Sequence, residues 1–280
     1  MSITSFNKAS LPKKVILSGA DCFHLVLDKP AKKHSAGGNV MRKIFYFNSA
    51  LSYNKINDIL KSSPVIYWLC NIKFVPGLLM KLPTWQYIDR NNEIILLEHH
   101  TVVEDGIPDN ILNRDITIES TRFIEADLVH YPSGGCAFIL SWNHILLDAK
   151  GTTLLFEHLN LLSENKPQSV DTFFPGKEKK TNIVTYIRNM YKVKKFVQTS
   201  SKPPVSSVAC TSLKTGDGKT LTKVISFNVE ETKKINANAF KTGSRFGPTL
   251  YLVACCTHVI NFLNHQKNKA GDIWLPIPYD

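Results

Sequence analysis

The sequence predicts a mixed α/β protein of the α+β kind, in which a mixed sheet packs against helices. Apolar runs of strand length interleave with amphipathic helical stretches, and they do not follow a strict strand–helix–strand order. The composition is that of a globular protein, with 43% hydrophobic and 20% charged residues. Residues 136–142 (CAFILSW) are nearly all apolar, which is typical of a strand buried at the centre of a sheet.

The first part of the chain combines short strands with two helices. Strands are predicted at residues 41–47, 93–98, 122–129 and 136–142. Residues 48–60 turn into a helix that places Ile56, Ile59 and Leu60 on one face, and Pro64 closes it. Residues 152–162 have helical spacing, with Thr152 or Thr153 as the N-cap.

A basic connector with several prolines separates this part from the next. Residues 163–204 hold nine Lys or Arg against three acidic residues, so they carry +6 of the net charge of +11. An amphipathic helix is predicted within the connector at residues 182–198, followed by strands at 223–228 and 272–278 and helices at 229–240 and 248–263. We therefore predict an N-terminal subdomain at 1–162, the connector at 163–205 and a partial second subdomain at 206–280.

Several protein classes are excluded by the hydropathy and cysteine patterns. The longest unbroken apolar run, residues 250–256, is far below the roughly 20 residues that cross a bilayer, and Asp21 interrupts any signal-peptide core. The six cysteines show no CxxC spacing and are predicted to be buried free thiols, without zinc or a redox pair. We predict a cytoplasmic protein. Its basic connector either attracts anions (nucleic acid, anionic lipid or a phosphorylated cofactor) or forms a solvated face.

Residues 142–151 (WNHILLDAKG) carry the clearest chemical signal. A buried strand delivers His144 to its end, Asp148 follows four residues later, and a helix begins near Gly151. A neutral imidazole on such a loop can take a proton from a hydroxyl, amine or thiol. The spacing alone suits a core histidine that hydrogen-bonds to the backbone at least as well.

This segment resembles the HHxxxDG motif of the condensation-domain and acyl-CoA-dependent acyltransferase superfamily, whose fold is that of chloramphenicol acetyltransferase. Flanking pieces resemble the family in order, closest in pattern to the wax ester synthase/diacylglycerol acyltransferase branch: residues 17–23, 41–60, 82–85, 93–102 and 248–280. Asn143 replaces the first histidine, and Ala149 replaces the glycine. An alanine there is expected to strain the turn if the position needs a positive φ.

The resemblance implies acyl transfer from a thioester to an alcohol or amine. His144 would be the general base and Asp148 would hold the motif loop, paired with an arginine for which Arg42 or Arg122 is the candidate. Trp142, Asn143 and Gly151 are assigned to substrate binding. No bound cofactor or metal is implied. The co-substrate would be acyl-CoA or an acyl-phosphopantetheine arm, and an acidic carrier protein would suit the basic connector.

The resembling family has a fuller second half that closes the substrate tunnel, whereas this chain ends at residue 280. The apolar strand predicted at residues 272–278 would then leave an uncovered edge. We therefore expect the chain alone to self-associate or to depend on a partner that supplies the remainder, and to be inactive alone as a multiple-turnover catalyst. Light scattering at low concentration tests the first expectation, and a thioester-release assay tests the second.

Three other interpretations stay open. A second segment, His99-His100 followed by Glu104 and Asp105, imitates the motif, but its aspartate is one residue too far and a turn follows it instead of a helix. A non-catalytic condensation-like module, which only binds a partner or lipid, is the main rival to the enzyme. Nucleic-acid binding is disfavoured because the basic connector has few interleaved aromatic residues, while peripheral membrane contact stays open.

Overall fold

The computed structural model describes residues 11–34, 39–77, 82–88, 96–166, 226–243 and 248–266, with isolated positions between 174 and 199. Within these residues the strands are β1 Lys14–Ile16, β2 Val40–Phe47, β3 Ile72–Val75, β4 Thr84–Tyr87, β5 Leu97–Thr101, β6 Ile124–His130 and β7 Cys136–Asn143. The helices are α1 Gly19–His34, α2 Tyr53–Ser62, α3 Pro64–Cys70, α4 Asp109–Leu112, α5 Ala149–Ser163, α6 Val229–Lys241 and α7 Thr249–Gln266. The predicted mixed α/β class is confirmed.

The strands form two sheets. One has the order β2-β7-β6-β5, with antiparallel pairs except for the parallel pair β5 and β6. The other has the order β1-β4-β3 and is antiparallel throughout. The first sheet is therefore mixed, as the sequence predicts, and its longest strands, β2 and β7, lie side by side.

Strand β7 forms the centre of the larger sheet. All eight of its residues are buried, and it pairs with β2 on one side and β6 on the other. Side chains from β6, β7, α2, α3 and α5 share one hydrophobic core. A strand buried on both faces needs apolar side chains on both, and this explains the unbroken apolar run in the sequence. The predicted central strand is confirmed.

Serine caps organise the helices that cover this core. Ser52 caps α2, and Ser63 accepts a hydrogen bond from the N–H of Ile66 at 3.1 Å and so caps α3. Pro64 stands at the first turn of α3, where its missing N–H costs nothing. It therefore closes α2, as predicted, by opening the next helix. From α5, the buried His158 places Nε2 3.0 Å from the Ser63 hydroxyl.

Acid should weaken this contact between α5 and α3. Burial lowers the pKa of His158 from its ordinary value of 6.5. As the pH falls below about 6.5, the unfolded chain binds a proton that the native His158 excludes, so the free energy of unfolding decreases. We expect His158→Gln to lose less stability than wild type between pH 7.5 and 5.5 in urea unfolding. The exposed His265→Gln should match wild type, and an unchanged pH dependence in His158→Gln would contradict the assignment.

Other boundaries differ from the prediction. Residues 93–95 of the strand predicted at 93–98 lie outside the described residues. The observed strand β5 begins at Leu97 and contains both His99 and His100. Residues 226–228 are not a strand; Asn228 instead forms a capping box with Glu231 at the start of α6. The helices predicted at 229–240 and 248–263 are confirmed as α6 and α7.

The chain divides into two compact units, one made of residues 1–178 and 213–220 and the other of residues 179–212 and 221–280. The first contains both sheets and α1 to α5, and the second contains α6 and α7. The boundaries predicted at 162 and 205 stay predictions, and the strand predicted at 272–278 lies outside the described residues. Of the helices described, none has the length and apolar character needed to cross a membrane.

Candidate functional site

His144 occupies the first position after β7. Its backbone N–H donates to the carbonyl of Asn39 at 2.9 Å, which extends the pairing of β2 and β7 one residue beyond Val40 and Asn143. The sheet therefore fixes the point at which His144 leaves the core. Its ring is partly buried, and Nδ1 is inaccessible to solvent without a hydrogen-bond partner among the described residues.

A second imidazole lies directly on this ring. His24 of α1 stacks on His144 with 3.8 Å between ring centroids and 24° between ring planes. Asn39 joins the two segments, because its side-chain amide donates to the His24 carbonyl at 3.2 Å while its own carbonyl accepts from His144. The Nδ1 atom of His24 is also buried without a partner in the described part of the chain. We call His24 and His144 the histidine pair.

Burial and nearby charges determine the pKa of His24 in the histidine pair. Burial lowers the pKa of His24, and the charge of His144 lowers it further. Asp21 and Asp148 act in the opposite direction but do not cancel these effects. Because buried polar atoms are nearly always hydrogen-bonded, two unsatisfied ring nitrogens mark a place where a polar group of a bound molecule would be stabilised.

Asp148 caps the helix that follows the motif. It is exposed, and its Oδ1 accepts from the Gly151 N–H at 2.6 Å. Its carbonyl accepts from the N–H and the hydroxyl of Thr152. The helix therefore begins at Ala149, and Asp148 takes the cap position predicted for Thr152 or Thr153. Side chains with an acceptor oxygen are strongly favoured at this position.

The departures in this loop have a local explanation. Among the described non-glycine residues only Asn165 has a positive φ, so the condition under which Ala149 would be strained is not met. A Cβ added to Gly151 would lie 3.2 Å from Oδ1 of Asp148 and 3.3 Å from Cδ2 of Leu147. Because Gly151 has no side chain, the Asp148 carboxylate has room to cap the helix.

The polar groups of Trp142 and Asn143 form hydrogen bonds with backbone groups of the protein. The sequence assigns both residues to substrate binding. Trp142 is 2% exposed, and its Nε1–H donates to the carbonyl of Leu147 at 3.0 Å. Asn143 is fully buried; its amide donates to the carbonyl of Ile116 at 2.7 Å, and its Oδ1 accepts from the N–H of Ile145 at 3.0 Å. Through these contacts both side chains hold the end of β7 and the following loop in place, and their assignment to substrate binding stays a prediction.

The arginine partner expected for Asp148 is replaced by backbone contacts. Arg42 of β2 donates to the carbonyls of Ile111 and Arg114, so it supports the loop around α4. Burial, followed by the charge of Arg114, lowers the pKa of Arg42. The expected pairing of Asp148 with Arg42 is therefore wrong, because this carboxylate is exposed and acts as a helix cap. The ion pairs of the described residues include none between Asp148 and Arg122, the other candidate.

The stability effect of Asp148 should accordingly be that of a cap. We expect Asp148→Ala to lower the free energy of unfolding by about 0.5–2 kcal/mol, below the roughly 3–5 kcal/mol of a broken buried ion pair. Asp148→Asn is the matched control, because asparagine caps helices about as well as aspartate. Urea unfolding of the three proteins measures both values. A loss of about 4 kcal/mol in the alanine variant would contradict the cap role and indicate that Asp148 belongs to a buried ion pair.

The second histidine segment belongs to a charged network on the larger sheet. His100 of β5 contacts the buried Asp127 of β6 through Nε2 and Oδ1 at 2.8 Å. Arg114 donates to both oxygens of Asp127, at 3.0 and 3.2 Å, and to Glu125 at 2.5 Å and Glu98 at 3.4 Å. Burial acts to lower the pKa of Arg114, but Asp127 and Glu125 outweigh it and the pKa is raised. We call these five residues the Arg114 network.

Three members of this network have the chemistry of metal ligands. One ligand atom each from Glu98, His100 and Asp127 lies within 4.8 Å of the others. Arg114, however, already donates to both carboxylates, so a cation would have to compete with the guanidinium. The geometry is that of an ion-pair network, and the prediction that no metal is bound stays a prediction.

His99 also has partners inside the chain. Its Nε2 lies 3.1 Å from Nδ1 of His130, whose Nε2 lies 3.1 Å from the carbonyl of Leu51. A carbonyl only accepts, so His130 carries its proton on Nε2 and a neutral His130 accepts from His99. The motif-like pair His99-His100 is thus occupied by contacts within the sheet.

Comparison with solved structures finds similarity to condensation domains and to a biosynthesis protein. The tallysomycin biosynthesis protein TlmII has a TM-score of 0.45 and 11% identity, over 66% of this chain and 47% of its own. The first condensation domain of the CDA synthetase has a TM-score of 0.42 and 13% identity, over 57% and 42%. The starter condensation domain of the rhizomide synthetase RzmA has a TM-score of 0.43 and 8% identity, over 68% and 46%.

This chain is similar to solved condensation domains. It spans less than half the length of each of the three proteins. No protein-family model matches the sequence, and no curated protein matches it.

Proposed function

We propose that the protein transfers an acyl group from a thioester to a hydroxyl or amine, with His144 as the general base. The observation that carries the proposal is the placement of His144. It follows the fully buried strand β7 directly and has a buried ring nitrogen without a partner among the described residues. The resemblance of residues 143–148 to the acyltransferase motif supplies the reaction class.

The reaction needs one base at the acceptor. The neutral imidazole takes the proton of the hydroxyl or amine while the acceptor oxygen or nitrogen attacks the thioester carbonyl carbon. The tetrahedral intermediate then collapses, the carbon–sulfur bond breaks, and the thiolate takes the proton from the imidazolium. The products are an ester or amide and a free thiol, and His144 returns to its neutral form.

Asp148 supports this chemistry by fixing the loop. Its side chain and carbonyl hold the first turn of α5, so the five residues from His144 to Asp148 run between two anchored points. At the other end, the His144 N–H is bonded to Asn39. A base held at both ends keeps its ring close to the geometry that proton transfer requires.

The proposed co-substrate is acyl-CoA or the acyl-phosphopantetheine arm of a carrier protein. Both present a thioester on a phosphorylated group, and the chain has a net charge of +11. Positive charge raises the local concentration of anionic partners and increases their association rates. An acidic carrier protein would be attracted in the same way. We further propose that the reaction takes place in the cytoplasm.

A panel of acyl thioesters tests the function. The purified 280-residue chain, in excess over each acyl-CoA or acyl-carrier thioester, is incubated with mixed alcohols and amines. Free thiol is followed in time, and products are identified by mass spectrometry. We expect thiol release coupled to an ester or amide product. Thioester binding without any acylated product would favour the rival interpretation, a non-catalytic binding module.

A further inference from the structure

We propose that His24 is a positioning residue for His144, so that the histidine pair works as one unit in which a single ring at a time carries a proton. The effect of His24 on acyl transfer rests on the proposed function, whereas the coupling between the two rings does not. It starts from three observations: the ring stack, the buried unpartnered Nδ1 atoms of both rings, and the Asn39 link between their backbones.

The stack restricts the His144 ring mechanically. Nearly parallel rings 3.8 Å apart are in van der Waals contact, so rotation of one imidazole would drive it into the other. The ring of Phe23 also contacts His24 edge-on, with 5.8 Å between centroids and 69° between ring planes. The carbonyl of His24 is held by Asn39, whose own carbonyl holds the His144 N–H. The His144 ring thus faces a surface that is itself anchored.

The same contact couples the charges of the two rings. Two positive charges about 4 Å apart repel strongly in a partly buried site, so double protonation is disfavoured. The charged groups that act on His24 are Asp21 from its own helix, Asp148 from the cap of α5, and His144 from the end of β7. Burial and His144 outweigh the two carboxylates and lower the pKa of His24. This lowered pKa opposes protonation of His24 as the pH falls.

Imidazole NMR of the histidine-labelled 280-residue chain tests this unit without any substrate. We expect the signals of the pair to change in two steps that are at least about one pH unit apart, as coupled groups do. In His24→Phe, which keeps an aromatic stack but cannot be protonated, the two-step change should be lost. His265→Phe, an exposed site in the second unit, is the control and should leave both steps in place.

The thioester assay adds the catalytic readout. His24→Ala removes the stacking surface, and we expect its rate of acyl transfer to fall by about 10-fold or more, since a misplaced base loses rate steeply. His24→Phe should recover at least about a third of the wild-type rate by restoring the surface. Full activity in His24→Ala would overturn the proposal, and so would failure of His24→Phe to recover activity while its NMR spectrum stays native.

The two readouts separate this inference from the proposed function. If no thioester turns over but the pair titrates in two steps that His24→Phe abolishes, the histidine unit stands and the acyl-transfer function fails. If acyl transfer is found but the His144 signal is the same in wild type and His24→Phe, the unit fails and the function stands.

Discussion

His144→Ala should lower the single-turnover rate of acyl transfer by about 10²–10⁴, the range over which a general base contributes. The reason is specific to the position of the ring. Its backbone is bonded to Asn39 at the end of the sheet, and its Nδ1 has no partner among the described residues. Alanine removes the base and leaves β7 intact, so the fold should be retained. Thiol release with one acyl-CoA and one acceptor measures the change.

His100→Ala is the matched control for that variant. It also follows the motif-like pattern, but its Nε2 contacts Asp127 in the Arg114 network. We expect its rate of acyl transfer to stay within about threefold of wild type, because the ring is occupied by a structural contact. A collapse of activity in a folded His100→Ala, with His144→Ala unaffected, would move the base to the second segment and overturn the assignment.

The parts of the fold that sequence predicts well are those with local signals. Residues 136–142 form an apolar run, and the observed strand is Cys136–Asn143. Glu230 and Glu231 favour the start of a helix, and the observed helix begins at Val229 with a capping box that uses Glu231. In each case the signal and the element occupy the same few residues, so no distant contact was needed to find them.

The histidine pair could not be found in this way. His24 and His144 belong to different elements, and no spacing rule connects positions so far apart in the chain. Helix α1 itself was not predicted. Pro30 falls inside it, and proline usually ends or kinks a helix. The sequence signal for this helix is the pair Ser18 and Asp21, which exchange hydrogen bonds at the start of α1 in a pattern that favours a helix N-terminus.

The assignment of Trp142, Asn143 and Asp148 shows a second limit. A motif indicates which residues lie near a site, but not which of their atoms are already used. The amide N–H of Asn143 donates to the carbonyl of Ile116, and its oxygen accepts from the N–H of Ile145. Only the structure shows these contacts. Asp127, in contrast, does pair with an arginine, Arg114, and no motif in the sequence indicates this contact.

Arg114→Ala should be the most destabilising substitution of an ion-pair residue in the described part of the chain. We expect the free energy of unfolding to fall by about 3–5 kcal/mol, as when one partner of a buried pair is removed. Asp127 is fully buried and, among its hydrogen bonds to described residues, would keep the contact with His100, while Glu125 and Glu98 would lose the guanidinium that they share. Urea unfolding at pH 7.5 measures the loss.

Two further variants identify the origin of that loss. Glu98→Gln removes a partner that is 47% exposed, so it should cost no more than about 1 kcal/mol. Adding Asp127→Asn to Arg114→Ala should recover part of the stability, since the buried carboxylate that the first change strands is then neutral. If the double variant is as unstable as the sum of the two single variants, the two side chains do not interact, and the stabilising role of the Arg114 network is refuted. A loss below about 1 kcal/mol in Arg114→Ala would refute it as well, because such values are typical of exposed pairs.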